Sequence, residues 1–159
     1  MPLLFSHGYF LHEDPKEQVI MKPYPPLGLL YLSAWLDLHG IENEVFDTTF
    51  STKPALQQYL LEHRPPIVAL YVNLMTKLNI IGIMRFIRAQ ASLRHCLIVL
   101  GGPDVTHNTA EYLGCGADHE DAGWRHQIRR YRYETRSIPG ANGADILNKP
   151  VCRRNGQTE

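Results

Sequence analysis

The sequence predicts an α/β domain built on a parallel sheet wound on both faces. Three features carry that prediction. Short runs such as "IVALYV" (67–72) and "CLIVL" (96–100) are continuously apolar and rich in β-branched residues, as strands covered on both faces are. Between the runs lie segments with apolar residues at helical spacing. The connections after the first are short, and strands alternating with helices on short connections make parallel sheets.

The elements follow in order. Pro2 to His7 is an apolar run closed by Gly8, a buried first strand. A long loop, "GYFLHEDPKEQVIMKPYP", leads to Pro26, which suits the first turn of a helix because its missing N–H would be unpaired there. Leu27 to His39 forms that helix and Gly40 ends it. Leucine, tyrosine and tryptophan occur nearly all around it, so it is expected to be covered on most faces. "NEVFD" (43–47) is the second strand. Ser51 or Thr52 caps the next helix, which has Pro54 in its first turn and is stopped by Pro65-Pro66. Residues 67–72 make the central strand. Leu78, Ile81, Met84, Arg85 and Arg88 mark a helix to about Ala91, followed by the fourth strand at 96–100. A last helix spans Thr106 to Leu113 with Gly114 as its cap. After Asp118 the periodicity stops. Residues 119–159 are arginine-rich, with scattered glycine, asparagine and proline, the composition of a disordered polar tail in which 128–133 is the one candidate edge strand.

Bulk properties narrow the function. A chain of 159 residues buries one core, so residues 2–118 are expected to form one domain. Lys+Arg and Asp+Glu both total 16, which gives no field to draw the chain to nucleic acid or an anionic membrane. The three cysteines, Cys96, Cys115 and Cys152, match neither a CxxC pair nor a secreted framework, so reduced thiols and a cytoplasmic location are expected. The longest apolar stretch, Leu27 to Leu38, is too short to span a bilayer.

In a parallel sheet the loops after the strands converge on one rim, here 7–26, 48–52, 73–77 and 101–105, and ligands bind at that carboxyl edge. The first loop is far longer than usual and contains Tyr9, Phe10, Val19, Ile20, Met21 and Tyr24. The third offers Asn73 and Thr76 as hydrogen-bonding groups beside Leu74 and Met75. The fourth offers Gly101-Gly102, where a ligand can lie on the backbone; a glycine pair is also what a turn with positive φ requires.

"YPPLGLLYLSAWLDLHGIENEVFD", "PPIVALYVNLMT", "IVLGGPDVT" and "GCGAD" together resemble the cobalamin-binding (B12-binding) domain that precedes the radical SAM domain in class B radical SAM enzymes. The resemblance covers residues 2–118. Its most specific parts are Pro-Pro-Leu-Gly-Leu opening the helix and Leu-Gly-Gly-Pro after the fourth strand. It implies a flavodoxin-like five-stranded sheet with cobalamin across the carboxyl edge. The stretch Pro23 to Gly28 would lie under the corrin ring, with Tyr24, Pro25, Pro26, Leu27 and Gly28 binding the cofactor; Asn73 would touch the tail, Gly101 and Gly102 would stand beside the dimethylbenzimidazole, and Leu74, Thr76 and Pro103 complete the implied cofactor-binding set. Burying that bicyclic aromatic is worth about 4–5 kcal/mol, for roughly 150–200 Å² removed from water.

The sequence departs from relatives of this kind in three ways. The Asp-x-His-x-x-Gly motif that ligates cobalt is absent from the first loop; "DLHG" (37–40) has the wrong spacing and ends a helix at the amino edge, and neither His7 nor His12 has the spacing. Cobalamin without a protein histidine ligand is therefore expected. The CxxxCxxC cluster motif is missing, so catalysis by this chain alone is not expected, and the implied partner is a radical SAM domain or protein. An apolar fifth strand is replaced by "HEDAGWRHQIRRYRYETRS", as in a truncated or frame-altered product, which leaves the sheet incomplete after the fourth strand and that strand's edge unpaired. Two other chemistries have weak support. A phosphate-receiving regulator needs carboxylates where Ser6-His7 and Asn73 stand, and Asp47 lacks the GxGxxG of a dinucleotide site, which leaves it a turn residue. The alternative to the cobalamin reading is a flavodoxin-like interaction or remnant domain that has lost its ligand.

Overall fold

The computed structural model describes residues 3–120. The chain divides into two units, Met1–Ala122 and Gly123–Glu159, and the described residues all lie in the first. Five parallel strands form one sheet: β1 (Leu3–His7), β2 (Asn43–Phe46), β3 (Ile67–Tyr71), β4 (Leu97–Gly101) and β5 (His119–Glu120), in the order β2-β1-β3-β4-β5. That is the flavodoxin-like order, in which the chain reverses its winding direction between β1 and β3. The helices are α1 (Pro15–Ile20), α2 (Leu27–Leu38), α3 (Lys53–His63), α4 (Lys77–Ala89) and α5 (Val105–Gly114).

Strand alternation divides the core unequally between the two faces. Leu4, Val68, Leu70, Ile98 and Leu100 point to one face and are buried against Leu56 and Leu60 of α3, Ile80, Ile83, Met84 and Ile87 of α4, and Val105 and Tyr112 of α5. The opposite face carries Phe5, Ile67, Ala69, Tyr71, Leu97 and Val99. Phe5 is buried there, whereas Ile67, Ala69 and Val99 are half-buried, and Tyr71 and Leu97 are exposed. Among the described helices, α2 alone packs on this face, against β1 and β2.

This asymmetry corrects one expectation. Helix α2 was expected to be covered on most faces, but it buries only Leu29 fully, with Leu32, Ser33 and Leu36 half-buried. Leu27, Leu30, Tyr31, Ala34, Trp35 and Leu38 are exposed, because no second helix among the described residues lies beside it on that face. Two helix ends also differ. Pro26 stands just before α2, as its N-cap, and the positive-φ glycine after α5 is Gly116 (φ 109°), two residues beyond Gly114. The cap of α3 is Thr52, whose Oγ1 accepts from the Ala55 N–H (3.3 Å).

The edge of β4 is not bare. Val99 and Leu100 pair with His119 and Glu120. The chain is held there by Arg88, which donates to the carbonyl oxygens of Gly116 and Cys96 (2.8 Å each) and pairs with Asp118; the Asp118 carboxylate also accepts from the Ile98 N–H (2.7 Å). The expected tail, its edge strand and its basic run lie outside the described residues beyond Glu120. No described helix is long and apolar enough to cross a membrane.

Candidate functional site at the carboxyl edge

The predicted site residues fall on one edge of the sheet. Tyr24 to Gly28 enter α2 from the loop after β1, Asn73 to Thr76 connect β3 to α4, and Gly101 to Pro103 end β4. With neighbouring strands about 4.8 Å apart, β1 and β4 stand roughly 10 Å from each other across β3, within the span of one ligand.

The long first loop has two halves. Residues 8–11 are packed down. Phe10 and Leu11 are buried, a 3-10 turn occupies Leu11–Glu13, and the Leu11 N–H donates to the Thr49 carbonyl (3.0 Å). Asn79 Nδ2 in α4 donates to the Gly8 carbonyl (2.8 Å) and to Glu13 Oε2 (3.1 Å), and Lys53 pairs with Glu13 (2.8 Å). A Cβ on Gly8 would stand 3.1 Å from both the Ile80 side chain and the Thr76 carbonyl oxygen, so the backbone just after β1 passes close against the first turn of α4. The second half forms α1, capped by Asp14, which accepts from the N–H groups of Lys16 and Glu17, and ended by Met21 at φ 49°. Its apolar side chains face outward: Val19, Ile20, Met21 and Tyr24 are exposed, the last 92%. Leu27, Phe50, Leu74, Met75 and Leu78 are exposed on the same edge, which makes that rim strongly apolar.

Asn73 and Thr76 bond to each other. Asn73 Oδ1 accepts from the Thr76 N–H (2.9 Å) and hydroxyl (3.1 Å), and the Asn73 N–H donates to Thr76 Oγ1 (3.2 Å). This closed turn starts α4 and buries Thr76. The Thr76 hydroxyl is therefore spent inside the protein, whereas Asn73 Nδ2 makes no hydrogen bond among the described residues.

The two glycines have different roles. Gly102 has φ 127°, and a Cβ there would fall 2.1 Å from the Val72 carbonyl oxygen. The fold itself demands glycine at that position. Gly101, whose carbonyl accepts from the Val72 N–H (2.7 Å), has nothing among the described residues within 4 Å of its Cβ position, and neither has Gly28. The structure thus leaves space at one member of the pair only.

A polar cluster at the ends of β1 and β2 is not legible as a unit in the sequence. His7 is 5% exposed. Its Nδ1 accepts from the Tyr9 N–H (3.2 Å), which leaves the proton on Nε2, donated to Asp47 Oδ1 (2.9 Å). The Thr48 hydroxyl lies between His7 Nδ1 (3.0 Å) and the Tyr9 carbonyl (2.8 Å). Burial outweighs the attraction of Asp47 and holds the His7 pKa below its ordinary value. Burial also pushes Asp47 up, but hydrogen bonds from Thr49 and His7 more than offset it, so the carboxyl titrates below its ordinary range. Both ring nitrogens of His7 are engaged within the protein. His12 is half-exposed beside Glu13. Among the described residues no group of three or more His, Cys, Asp or Glu could hold a metal ion.

No protein-family model and no curated protein matches the chain. Among solved structures it is similar to a response regulator from Hahella chejuensis, at 12% identity and a TM-score of 0.51, covering 96% of this chain and 100% of that one. A response regulator in red light signaling of R. palustris aligns at 13% identity and a TM-score of 0.48, over 92% of this chain and 87% of that one. The likeness to the first is one of backbone. The ends of β1 and β3, where a phosphate-receiving site needs carboxylates, carry Ser6-His7 and Tyr71 to Asn73. The chain has the flavodoxin-like α/β fold.

Proposed function

We propose that the chain is a cobalamin-binding module, of or derived from a B12-dependent radical SAM enzyme, that binds the cofactor at its carboxyl edge and does not catalyse alone. The observation that carries this reading is the division of labour at Gly101-Gly102. Gly102 is required by the backbone, but Gly101 meets no described residue where a side chain would stand, at the position where the sequence resemblance puts the nucleotide tail. The apolar rim supports it: Tyr24, Leu27 and Leu74 are exposed on the same edge, and Gly28 keeps the start of α2 free of a side chain. When bound, cobalamin supplies methyl-transfer or radical chemistry at its cobalt. The chain's own part is to hold it: Tyr24 to Gly28 as an apolar ledge, Gly101 to Pro103 beside the tail, and Asn73 Nδ2 as a donor. Thr76, bonded to Asn73, shapes the turn that presents Asn73 Nδ2.

Mixing the purified chain with hydroxocobalamin followed by gel filtration tests the reading. A coloured protein fraction is expected, and Gly101→Val should remove the colour without unfolding the chain.

The second reading, a flavodoxin-like interaction domain that has lost its ligand, is favoured by a specific observation. The packed half of the first loop and the closed Asn73–Thr76 turn complete the edge without any ligand. A colourless protein fraction from well-folded material selects this reading.

A further inference from the structure

We propose that the Gly8–Tyr9 peptide is a pH-sensitive latch: neutral His7 holds the start of the first loop against the sheet, and protonation of His7 loosens it. The peptide plane is held at both ends. Its N–H, that of Tyr9, donates to His7 Nδ1 (3.2 Å), and its C=O, that of Gly8, accepts from Asn79 Nδ2 of α4 (2.8 Å). The first bond needs a lone pair on Nδ1, so it exists only while the ring is neutral.

The neighbours fix where an added proton goes. Nε2 lies 2.9 Å from Asp47 Oδ1, and a ring protonated at Nδ1 alone would turn a lone pair on that carboxylate and a second donor on the Tyr9 N–H. The Thr48 N–H, 3.3 Å from Nε2, is the longer contact and yields to Asp47. The neutral ring therefore carries its hydrogen on Nε2, and the next proton arrives at Nδ1. The charged ring keeps its place: Nε2–H stays on Asp47, and Nδ1–H meets the Thr48 hydroxyl oxygen at 3.0 Å, whose own hydrogen turns to the Tyr9 carbonyl (2.8 Å). The Tyr9 N–H has no such substitute. It now faces another N–H, so the peptide must turn, a rotation that glycine on its N-terminal side tolerates. Turning it also pulls the Gly8 carbonyl from Asn79, whose amide is bonded in addition to Glu13 Oε2 (3.1 Å). One proton thus removes two bonds, and the segment is left to the Leu11 N–H on the Thr49 carbonyl and to the burial of Phe10 and Leu11.

The charges around the ring leave the sign of the effect intact. Asp47 is the charged group that acts on it, and its attraction opposes the release, but burial of the ring outweighs it. In the loop, Glu13 pairs with Lys53 of α3 (2.8 Å) and lies beside His12, and Asp14 caps α1. From β3 the phenol of Tyr71 stands next to His7 in register. The one charged residue of α2 is Asp37, in its last turn, and Lys77 at the start of α4 pairs with Glu111 (2.6 Å). Opening uncovers the Nδ1 side of the ring, so the opened segment binds the proton more tightly than the closed one. The latch is therefore complete above the ordinary imidazole pKa of 6.5, and opening grows below it by at most about tenfold per pH unit. None of this depends on what the carboxyl edge binds.

The test is amide hydrogen exchange of the full chain by NMR at about pH 7.5 and about pH 5.5, each rate divided by that of an unstructured peptide at the same pH. The Tyr9 amide should be less protected than the Val68 and Leu70 amides of β3 at both values, and should lose about three- to tenfold of its protection on acidification. Protection of Tyr9 that stays constant overturns the proposal, and so does protection equal to that of β3 throughout, since the segment then opens only with the whole fold. His7→Asn places an oxygen acceptor where Nδ1 stood and cannot titrate, so its Tyr9 amide should be equally protected at both values. His12→Gln should respond as wild type does. A response that survives His7→Asn, or that His12→Gln abolishes, overturns the proposal; should His7→Asn fail to fold, the wild-type and His12→Gln comparisons decide it.

Discussion

The carbonyl oxygen of Val72 lies 2.1 Å from the point where a Cβ on Gly102 would stand, while the same construction on neighbouring Gly101 meets no described residue within 4 Å. Two adjacent glycines at one strand end thus answer to different demands. One is a close approach between the ends of β3 and β4, and the other is open space.

Substitution should separate them. Gly102→Ala forces a side chain into backbone at a φ that L-residues rarely adopt, so unfolding free energy should fall by at least about 2 kcal/mol. Gly101→Ala should stay within about 0.5 kcal/mol of wild type. Urea titration of both variants checks the contrast; equal losses would mean that the fold needs both glycines.

Acid should weaken the fold in a window set by His7. Its folded pKa lies below the ordinary 6.5, so as pH falls through 6.5 the unfolded chain takes up a proton that the folded chain resists. Stability is thus complete above that pH and declines below it, by at most about 1.4 kcal/mol per pH unit for one proton. Asp47, also depressed, acts further down: its contribution persists above its ordinary 3.8 and is lost as pH drops through its lower folded pKa. Denaturant midpoints measured against pH should show the first decline in wild type and a flatter profile in His7→Gln. The same slope in both would exclude His7 as its source.

Asn73 offers a test of whether its turn is only a turn. Asn73→Asp keeps the Oδ1 that accepts from Thr76 but removes the Nδ2 donor. Stability should change little, whereas Asn73→Ala, which removes the bonds Asn73 Oδ1 accepts from Thr76 in the turn before α4, should cost about 1 kcal/mol. If Asn73 Nδ2 reaches a ligand, Asn73→Asp weakens cobalamin binding several-fold at unchanged stability. Identical retention of cobalamin by wild type and Asn73→Asp would restrict the residue to closing its turn with Thr76.

Much of the fold was legible because its signals are local. Residues 67–72 and 96–100 carry the unbroken apolar pattern of strands with neighbours on both sides, and β3 and β4 form there within a residue or two. Thr52 and Pro65-Pro66 bracket α3 as their capping and breaking chemistry requires. What was not legible is non-local. The apolar circumference of α2 reads as a buried helix, but burial depends on what stands beside it, and the described face holds no second helix. His7 and Asp47 are separated by 40 positions and meet only because β1 and β2 pair. Gly101 and Gly102 are indistinguishable as letters. Only the position of Val72 tells them apart. The short α1 carries a clear signature, Asp14 as its cap and Pro15 as its first residue, yet its six residues were hidden by the length of the loop around them.

The most direct measurement is the visible spectrum of the gel-filtered chain after exposure to hydroxocobalamin. The account predicts cobalamin absorbance co-eluting with wild type and absent from Gly101→Val, with the two proteins melting alike. Folded wild-type protein that elutes without colour, or a Gly101→Val variant that keeps it, would contradict the cobalamin reading.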